Sequence, residues 1–311
     1  MSSAQRIAVF IPCLNEATTI GKVIDDFRRT LPDASIYVID NDSTDGTADV
    51  AAARGARVIV ETRRGKGFAV RTAFRRINAD IFIMVDGDDT YPAEFATVLL
   101  EPVLAGRADM SVGSRMMRGT TNAFGPLNRL GNRIYPSLLR FLLRVRLTDL
   151  LSGFRVMTRD FVRGVPIAAS GFEIEAELTV KAIERGYRVI ELPIDLRARP
   201  EGSQSKIRIM SDGWRILWTV VLLFRDYRPM TFFGGLGLLF IGAGLIPGSI
   251  VIADFLRTGL VPRFPSAILA AALEVAGILL LAVGLVLSAV VRRFQELESK
   301  LDMMSSQPDD D

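Results

Sequence analysis

The chain has 311 residues, 49% of them hydrophobic, with 38 Lys and Arg against 35 Asp and Glu and a net charge of +3, long enough for one large globular domain and something more. It contains no histidine and a single cysteine, which excludes a Ser-His triad, a histidine general base, most zinc sites and any intrachain disulfide. Catalysis is left to carboxylates, Lys, Arg and hard divalent cations, which take oxygen ligands and are usually completed by substrate phosphates.

From residue 1 to about 115, short β-rich runs alternate with helical ones. The runs "IAVFI", "SIYVID", "ARVIVE", "IFIMVD" and "MSVGS" predict strands, and "EATTIGKVIDDFRRT", "STDGTADVAAARG", "GKGFAVRTAFRRIN" and "PAEFATVLLEPVLAG" predict helices between them. Continuous apolar strands in βαβ alternation predict a parallel sheet covered by helices on both faces. Such folds bind ligands at the carboxyl ends of their strands, where "IPCLNE", "DNDSTDG", "TRRGKG" and "DGDD" fall.

Further along, residues 127–147 are basic and amphipathic, interrupted by Pro136, and residues 206–229 place Trp214 and Trp218 beside a long apolar face. Both read as helices lying in a membrane interface, with an ordinary core-facing helix as the alternative. Residues 230–253 and 266–291 each exceed the roughly 20 residues that span a hydrocarbon core, and their one charge is Glu274. They predict two transmembrane helices. Arg225 and Arg228 before the first and Arg292 and Arg293 after the second put both ends of the chain in the cytoplasm, although Arg257 and Arg263 in the connecting loop weaken that bias. A multi-pass protein of the cytoplasmic membrane is expected, with a catalytic part at 1–205, an interfacial helix at 206–229, the spans, and a partly disordered tail at 292–311. The N-terminus lacks the succession of a signal peptide, and Cys13 fits a reducing compartment.

The chemistry concentrates after the strands. Asp86 and Asp88 stand two apart where an apolar strand ends, with Asp89 next; clustered carboxylates need a cation among them, and a divalent ion supplies it. An Asp-rich turn around Gly87 is the structural alternative. Asp40 is suited to accept hydrogen bonds from a nucleotide's imide or ribose, while Ser43, Thr44 or Asp45 caps the next helix. Arg64 and Lys66, between glycines before a helix N-terminus, form an anion-binding arrangement or a solvated basic turn.

Eight motifs, "FIPCLNE", "VIDNDSTDGT", "RRGKG", "VDGDDTYP", "GSR", "LSGFR", "GFEIEAEL" and "EGSQSK", occur in the order and spacing that resemble the inverting nucleotide-sugar glycosyltransferases of the GT-A fold. Within these the chain resembles the polyprenyl-phosphate group, dolichol-phosphate mannose synthase among them, over residues 6 to about 229. The resemblance implies an α/β, Rossmann-like, mainly parallel catalytic domain followed by interfacial and transmembrane helices. It implies a UDP- or GDP-hexose donor, a polyprenyl monophosphate acceptor, Mg²⁺ or Mn²⁺, a membrane setting that admits a homotetramer, and no nucleic acid.

Residue by residue, it makes Asp86 and Asp88 the metal-binding Asp-x-Asp. Pro12, Asn15, Glu16, Asp40, Lys66 and Gly87 surround the nucleotide sugar. Arg115, Ser152, Arg155 and Arg129 or Arg133 grip the acceptor phosphate, and Arg199, Ser205 and Lys206 form a basic loop closing over the site. Asp88, Arg115, Arg155 and Lys206 carry catalysis. Many relatives have Leu and Gln at the positions of Asp89 and Thr90, which leaves the third metal ligand open. Glu173 or Glu175 lies where relatives with hydroxyl acceptors carry a base, and either is equally suited to orient an arginine or cap a helix. A lipid monophosphate, with a second pKa of about 6, is largely anionic at neutral pH and needs cations more than a base. Two other functions compete: transfer to a hydroxyl of a glycolipid or polysaccharide, and a non-catalytic scaffold that binds sugar nucleotides.

Overall fold

The computed structural model describes residues 5–115, 148–171, 173–197, 218, 221–222, 224–226 and 228–305, which fall into two compact units, Met1–Val220 and Val221–Asp311. The first opens with alternating β1 (Ile7–Cys13), α1 (Ile20–Thr30), β2 (Ser35–Asp40), α2 (Thr47–Ala53), β3 (Arg57–Val60), α3 (Lys66–Arg76), β4 (Ile81–Met84), α4 (Phe95–Leu104) and β5 (Met110–Ser114). All five expected strands and four expected helices are present. After residues 116–147 come β6 (Arg155–Thr158), α5 (Arg159–Gly164), α6 (Ile174–Glu184) and β7 (Val189–Pro193).

The strands form one sheet in the order β3-β2-β1-β4-β6-β5-β7. Every described pairing is parallel except those of β6, which runs antiparallel to both β4 and β5. Both sides of the sheet are apolar for a simple reason: successive side chains on a strand point to opposite faces. Val9, Ile11 and Cys13 of β1, with Ile81 and Ile83 of β4, join the layer that holds Ile20, Ile24 and Phe27 of α1 and Leu99 of α4. Ala8, Phe10, Phe82 and Met84 point the other way, against Ala69, Val70 and Ala73 of α3 and Ile174 and Leu178 of α6. Each such fully buried large side chain contributes about 1.5–3 kcal/mol.

This topology creates the site. β1 pairs with β2 on one side and β4 on the other, so the strand order reverses at β1, the place where open α/β sheets bind ligands. Cys13 is level with Asp40, and antiparallel β6 begins where β4 ends, Met84 opposite Arg155. The loops after β1, β2, β3 and β4 and the loop before β6 therefore share one edge.

The second unit contains α7 (Pro229–Thr258) and α8 (Phe264–Ser305). Each is long and apolar enough to cross a membrane, and 11% and 17% of their most apolar windows are buried, unlike the core helices of a soluble domain. α8 continues past the expected span end at 291 through "RRFQELESKLDMMS", rich in strong helix formers. Among the expected amphipathic segments, 127–147 lies outside the described residues, and so does most of 206–229; Trp218 is helical and exposed.

Candidate active site

The loop after β1 folds against the loop after β2. Asn15, in a left-handed conformation with φ 53°, accepts the Thr44 amide on Oδ1 at 2.8 Å, and its own amide donates to Ser43 Oγ at 3.0 Å. The Glu16 amide donates to Thr47 Oγ1 at 2.8 Å. Asp45 accepts the Thr47 amide and, on its other oxygen, the Ala17 amide, each at 3.0 Å. It therefore ties both loops together at the start of α2, close to its expected capping role. Pro12 lies in β1 beside Ile39.

Asp40, at the end of β2, is 5% exposed, and its Oδ1 has no hydrogen-bond partner. A buried carboxylate oxygen without a donor is costly; an imide or hydroxyl donor of a bound nucleotide fits that place. Next to it, Asn41 donates to the carbonyls of Glu61 and Arg63 at 3.0 and 2.7 Å and accepts the Gly65 amide at 2.7 Å. It shapes the whole turn that delivers Lys66. No motif reading singled out Asn41, because a neutral amide beside an aspartate carries no chemical signature of its own.

Lys66, at the start of α3, pairs with Asp86 and, at 2.5 Å, with Glu175 of α6. Burial works to discharge the ammonium, but the negative charges of Asp86 and Glu175 outweigh it and raise its pKa. Burial lifts the Glu175 carboxyl above the ordinary carboxylate value. Glu173 instead accepts the Ser170 and Gly171 amides at 3.1 and 2.9 Å, bracing the loop that leads into α6. Glu175 also lies in the electrostatic field of buried Arg155.

The loop after β4, with Asp86, Asp88 and Asp89, is held from several sides. The Gly87 carbonyl accepts Thr19 Oγ1 at 2.7 Å. Asp88 Oδ1 accepts Thr90 Oγ1 at 2.6 Å and the Thr90 amide at 3.2 Å. Asp89, with φ 57°, accepts Lys22 Nζ at 2.8 Å and an Arg197 nitrogen at 3.1 Å. Asp86 and Asp88 offer carboxylate oxygens, the donor type a hard divalent ion takes, and Asp86 is shared with the Lys66 ammonium. Among the described residues no group of three or more Asp, Glu, Cys or His is gathered for a metal. Oxygens of a donor diphosphate would complete the coordination.

Behind the loop, the Tyr91 hydroxyl accepts the Gly153 amide at 3.0 Å, and Gly153 lies against the Asp86 carboxylate so closely that a Cβ there would collide with it. Arg115, just past β5, makes a bidentate pair with Asp149, both contacts at 2.7 Å. Although burial opposes its charge, neighbouring Tyr91 and Asp149 raise its pKa. Asp149 also receives the Arg115 amide, and its own amide donates to Glu191.

Two expected phosphate grips are placed differently. Ser152 and Arg155 are both 0% exposed. Arg155 donates to the carbonyls of Ser152 and Leu150 at 2.9 and 2.6 Å and to Thr179 Oγ1 at 2.7 Å. Its guanidinium is spent on the inside of the 148–154 loop, where a phosphate has no access. Arg129, Arg133, Arg199, Ser205 and Lys206 lie outside the described residues.

The mainly parallel seven-stranded sheet, with the orphaned carboxylate of Asp40 at the end of β2 and Asp86 and Asp88 just past β4, has the GT-A architecture. Residues 8–165 match the family described as Glycosyl transferase family 2, and the chain belongs to it. It is 35% identical over 246 residues, 79% of this chain and 80% of the other, to "Glycosyltransferase AglJ" of Haloferax volcanii. It is 31% identical over 222 residues, 71% and 95% of the two chains, to that organism's "Dolichyl-phosphate hexose transferase". In fold it is similar to glucosyl-3-phosphoglycerate synthase from Mycobacterium tuberculosis, crystallised with Mn²⁺, UDP-glucose and phosphoglyceric acid, with a TM-score of 0.61, 24% identity and coverage of 71% and 80%.

Proposed function

We propose that the protein transfers a hexose from a UDP- or GDP-sugar to a polyprenyl monophosphate at the cytoplasmic face of the membrane, with inversion at the anomeric carbon. The observation that carries this reading is the concentration of fixed cations and hard oxygen donors at one sheet edge, with no histidine in the chain. The donor's base and ribose would meet Asp40 and the loops stitched by Asn15 and Glu16. Its diphosphate would lie over Asp86 and Asp88, the two carboxylates that would hold Mg²⁺ or Mn²⁺, and the ion would supply positive charge for the leaving diphosphate. Lys66 adds a buried ammonium beside Asp86.

The acceptor phosphate oxygen needs no base to become nucleophilic. Arg115, immobilised by Asp149, is oriented before any ligand arrives, and a pre-oriented guanidinium suits phosphate oxygens. The relatives' names and the two long apolar helices support a lipid acceptor and a multi-pass setting.

The test supplies purified full-length protein with polyprenyl phosphate, Mn²⁺ or Mg²⁺ and a panel of sugar nucleotides, and identifies lipid products by mass. A polyprenyl phosphate-hexose formed with one donor and lost on chelation is expected. Preferential transfer to a hydroxyl acceptor, or nucleotide-sugar binding without turnover over the whole panel, would overturn the proposal.

A further inference from the structure

Asp89 and Thr90 stand directly after Asp88 in the loop that follows β4. The structure turns both away from a ligand role and joins them to two other parts of the chain. Asp89 is 6% exposed and Asp26 of α1 is 8% exposed, so each needs compensating positive charge. Lys22 supplies it to both, at 2.8 Å to Asp89 and 2.9 Å to Asp26. Arg197 supplies it again, at 3.1 Å to Asp89 and 2.6 Å to Asp26, while its other nitrogen meets Glu94 at 3.0 Å. Arg29 adds a further contact to Asp26. With three cations for three carboxylates, Asp89 has no charge left for a metal to neutralise.

The same cluster reaches the reacting loop through the backbone. The Arg197 amide donates to the Thr90 carbonyl at 2.9 Å, and Thr90 Oγ1 donates to Asp88 Oδ1. Arg197 thus grips both residues that follow Asp88, one by its side chain and one by its backbone. In sequence it stands two residues before Arg199 and the basic stretch that contains Ser205 and Lys206.

We propose that Arg197, Asp89, Lys22 and Asp26 form a clamp that positions the loop after β4, with Thr90 as the link that aims the Asp88 carboxylate. Asp89 is a positioning residue and Asp88 the ligand. This rests on the reading of Asp86 and Asp88 as the metal site, and it adds that coordination in this chain depends on an ion-pair cluster one residue removed from the ligands.

The test uses the full chain in detergent micelles, with Mn²⁺ affinity in the presence of UDP measured from the EPR signal of free Mn²⁺ and thermal unfolding followed in parallel. Asp89→Asn and Arg197→Gln are each expected to weaken Mn²⁺ binding about three- to tenfold, and the double variant no more than the worse single one, because they break the same coupling. Arg197→Lys, which keeps the charge and the backbone bond, is expected to recover most of the loss. Lys22→Gln removes one arm only and gives about a twofold weakening by the same logic, so the clamp remains testable should Asp89→Asn fail to fold. Three results overturn the proposal: Asp89→Asn losing Mn²⁺ as completely as Asp88→Asn, single-variant losses that multiply in the double variant, and Mn²⁺ affinity unchanged in all of them. Mn²⁺ binding that survives in Asp88→Asn marks a different failure, that of the metal site itself.

Discussion

Gly153 contributes no functional group, yet it touches the Asp86 carboxylate and gives its amide to Tyr91. Any side chain there must push Asp86 aside or tilt the loop before β6. Gly153→Ala is therefore expected to weaken metal-dependent nucleotide binding by about tenfold, the effect of about 1.4 kcal/mol, while metal-independent nucleotide binding changes little; titration with UDP in Mn²⁺ and in chelator separates the two. Glu61 makes a different prediction. Hydrogen bonds from Arg63 at 2.8 and 2.9 Å, with help from Thr72 and against the cost of burial, hold its carboxyl well below the ordinary value of 4.5. A depressed carboxylate stabilises the fold above its unfolded pKa, and that contribution is lost as pH falls toward the folded value. Wild type should melt above Glu61→Gln at neutral pH, with the gap closing below about pH 4.5, as thermal melts across pH will check. What was legible is position: Asp40, Lys66, Asp86 and Asp88 are charged, end or follow strands, and stand at one edge of the sheet as their place in the sequence implies. Arg155 misled because a sequence motif does not tell which side of a loop a guanidinium faces, and Gly153 and Asn41 act through shape and backbone contacts that leave no charge pattern to read.

At the scale of elements, the five expected strands were legible because each is apolar and β-rich, and those at the centre are buried on both faces. β6 was not: four residues, "RVMT", begin with a charge and are too short to show a period. Its antiparallel insertion between β4 and β5 brings the 148–154 loop, with Asp149 and Gly153, to the ligand edge. The helical pair has a clearer sequence logic. Gly237 of α7 and Gly277 of α8 let the backbones meet; a Cβ on Gly237 would come within 2.7 Å of the Gly277 carbonyl oxygen, and one on Gly277 within 2.6 Å of Ile241. Small residues at such crossings are how helices in lipid gain packing. Gly277→Leu should force α7 and α8 apart at a cost of about 1–3 kcal/mol, read as a lower melting temperature in detergent. Gly242→Leu, where a Cβ meets nothing within 4 Å, should melt as wild type does.

For the whole molecule, the proposed reaction fixes a geometry. A sugar nucleotide is a cytoplasmic substrate, so the sheet edge must face the cytoplasm. Under that proposal two crossings by α7 and α8 would put the chain before Pro229 and the chain after the second crossing on that one side, with residues 259–263 on the other. The chain offers a clean way to test this, because its single cysteine, Cys13, is 2% exposed and native protein should be silent to a membrane-impermeant maleimide. Leu260→Cys places a thiol at a position 68% exposed in the connecting turn, and Asp33→Cys places one on the exposed turn between α1 and β2. In intact cells Leu260→Cys is expected to label and Asp33→Cys is not, with Asp33→Cys labelling once the membrane is permeabilised. The opposite pattern would reverse the orientation and remove the catalytic unit from its nucleotide supply. Labelling of both only after permeabilisation would mean that α7 and α8 lie at the membrane without crossing it, and the proposed transfer would then depend on surface attachment alone.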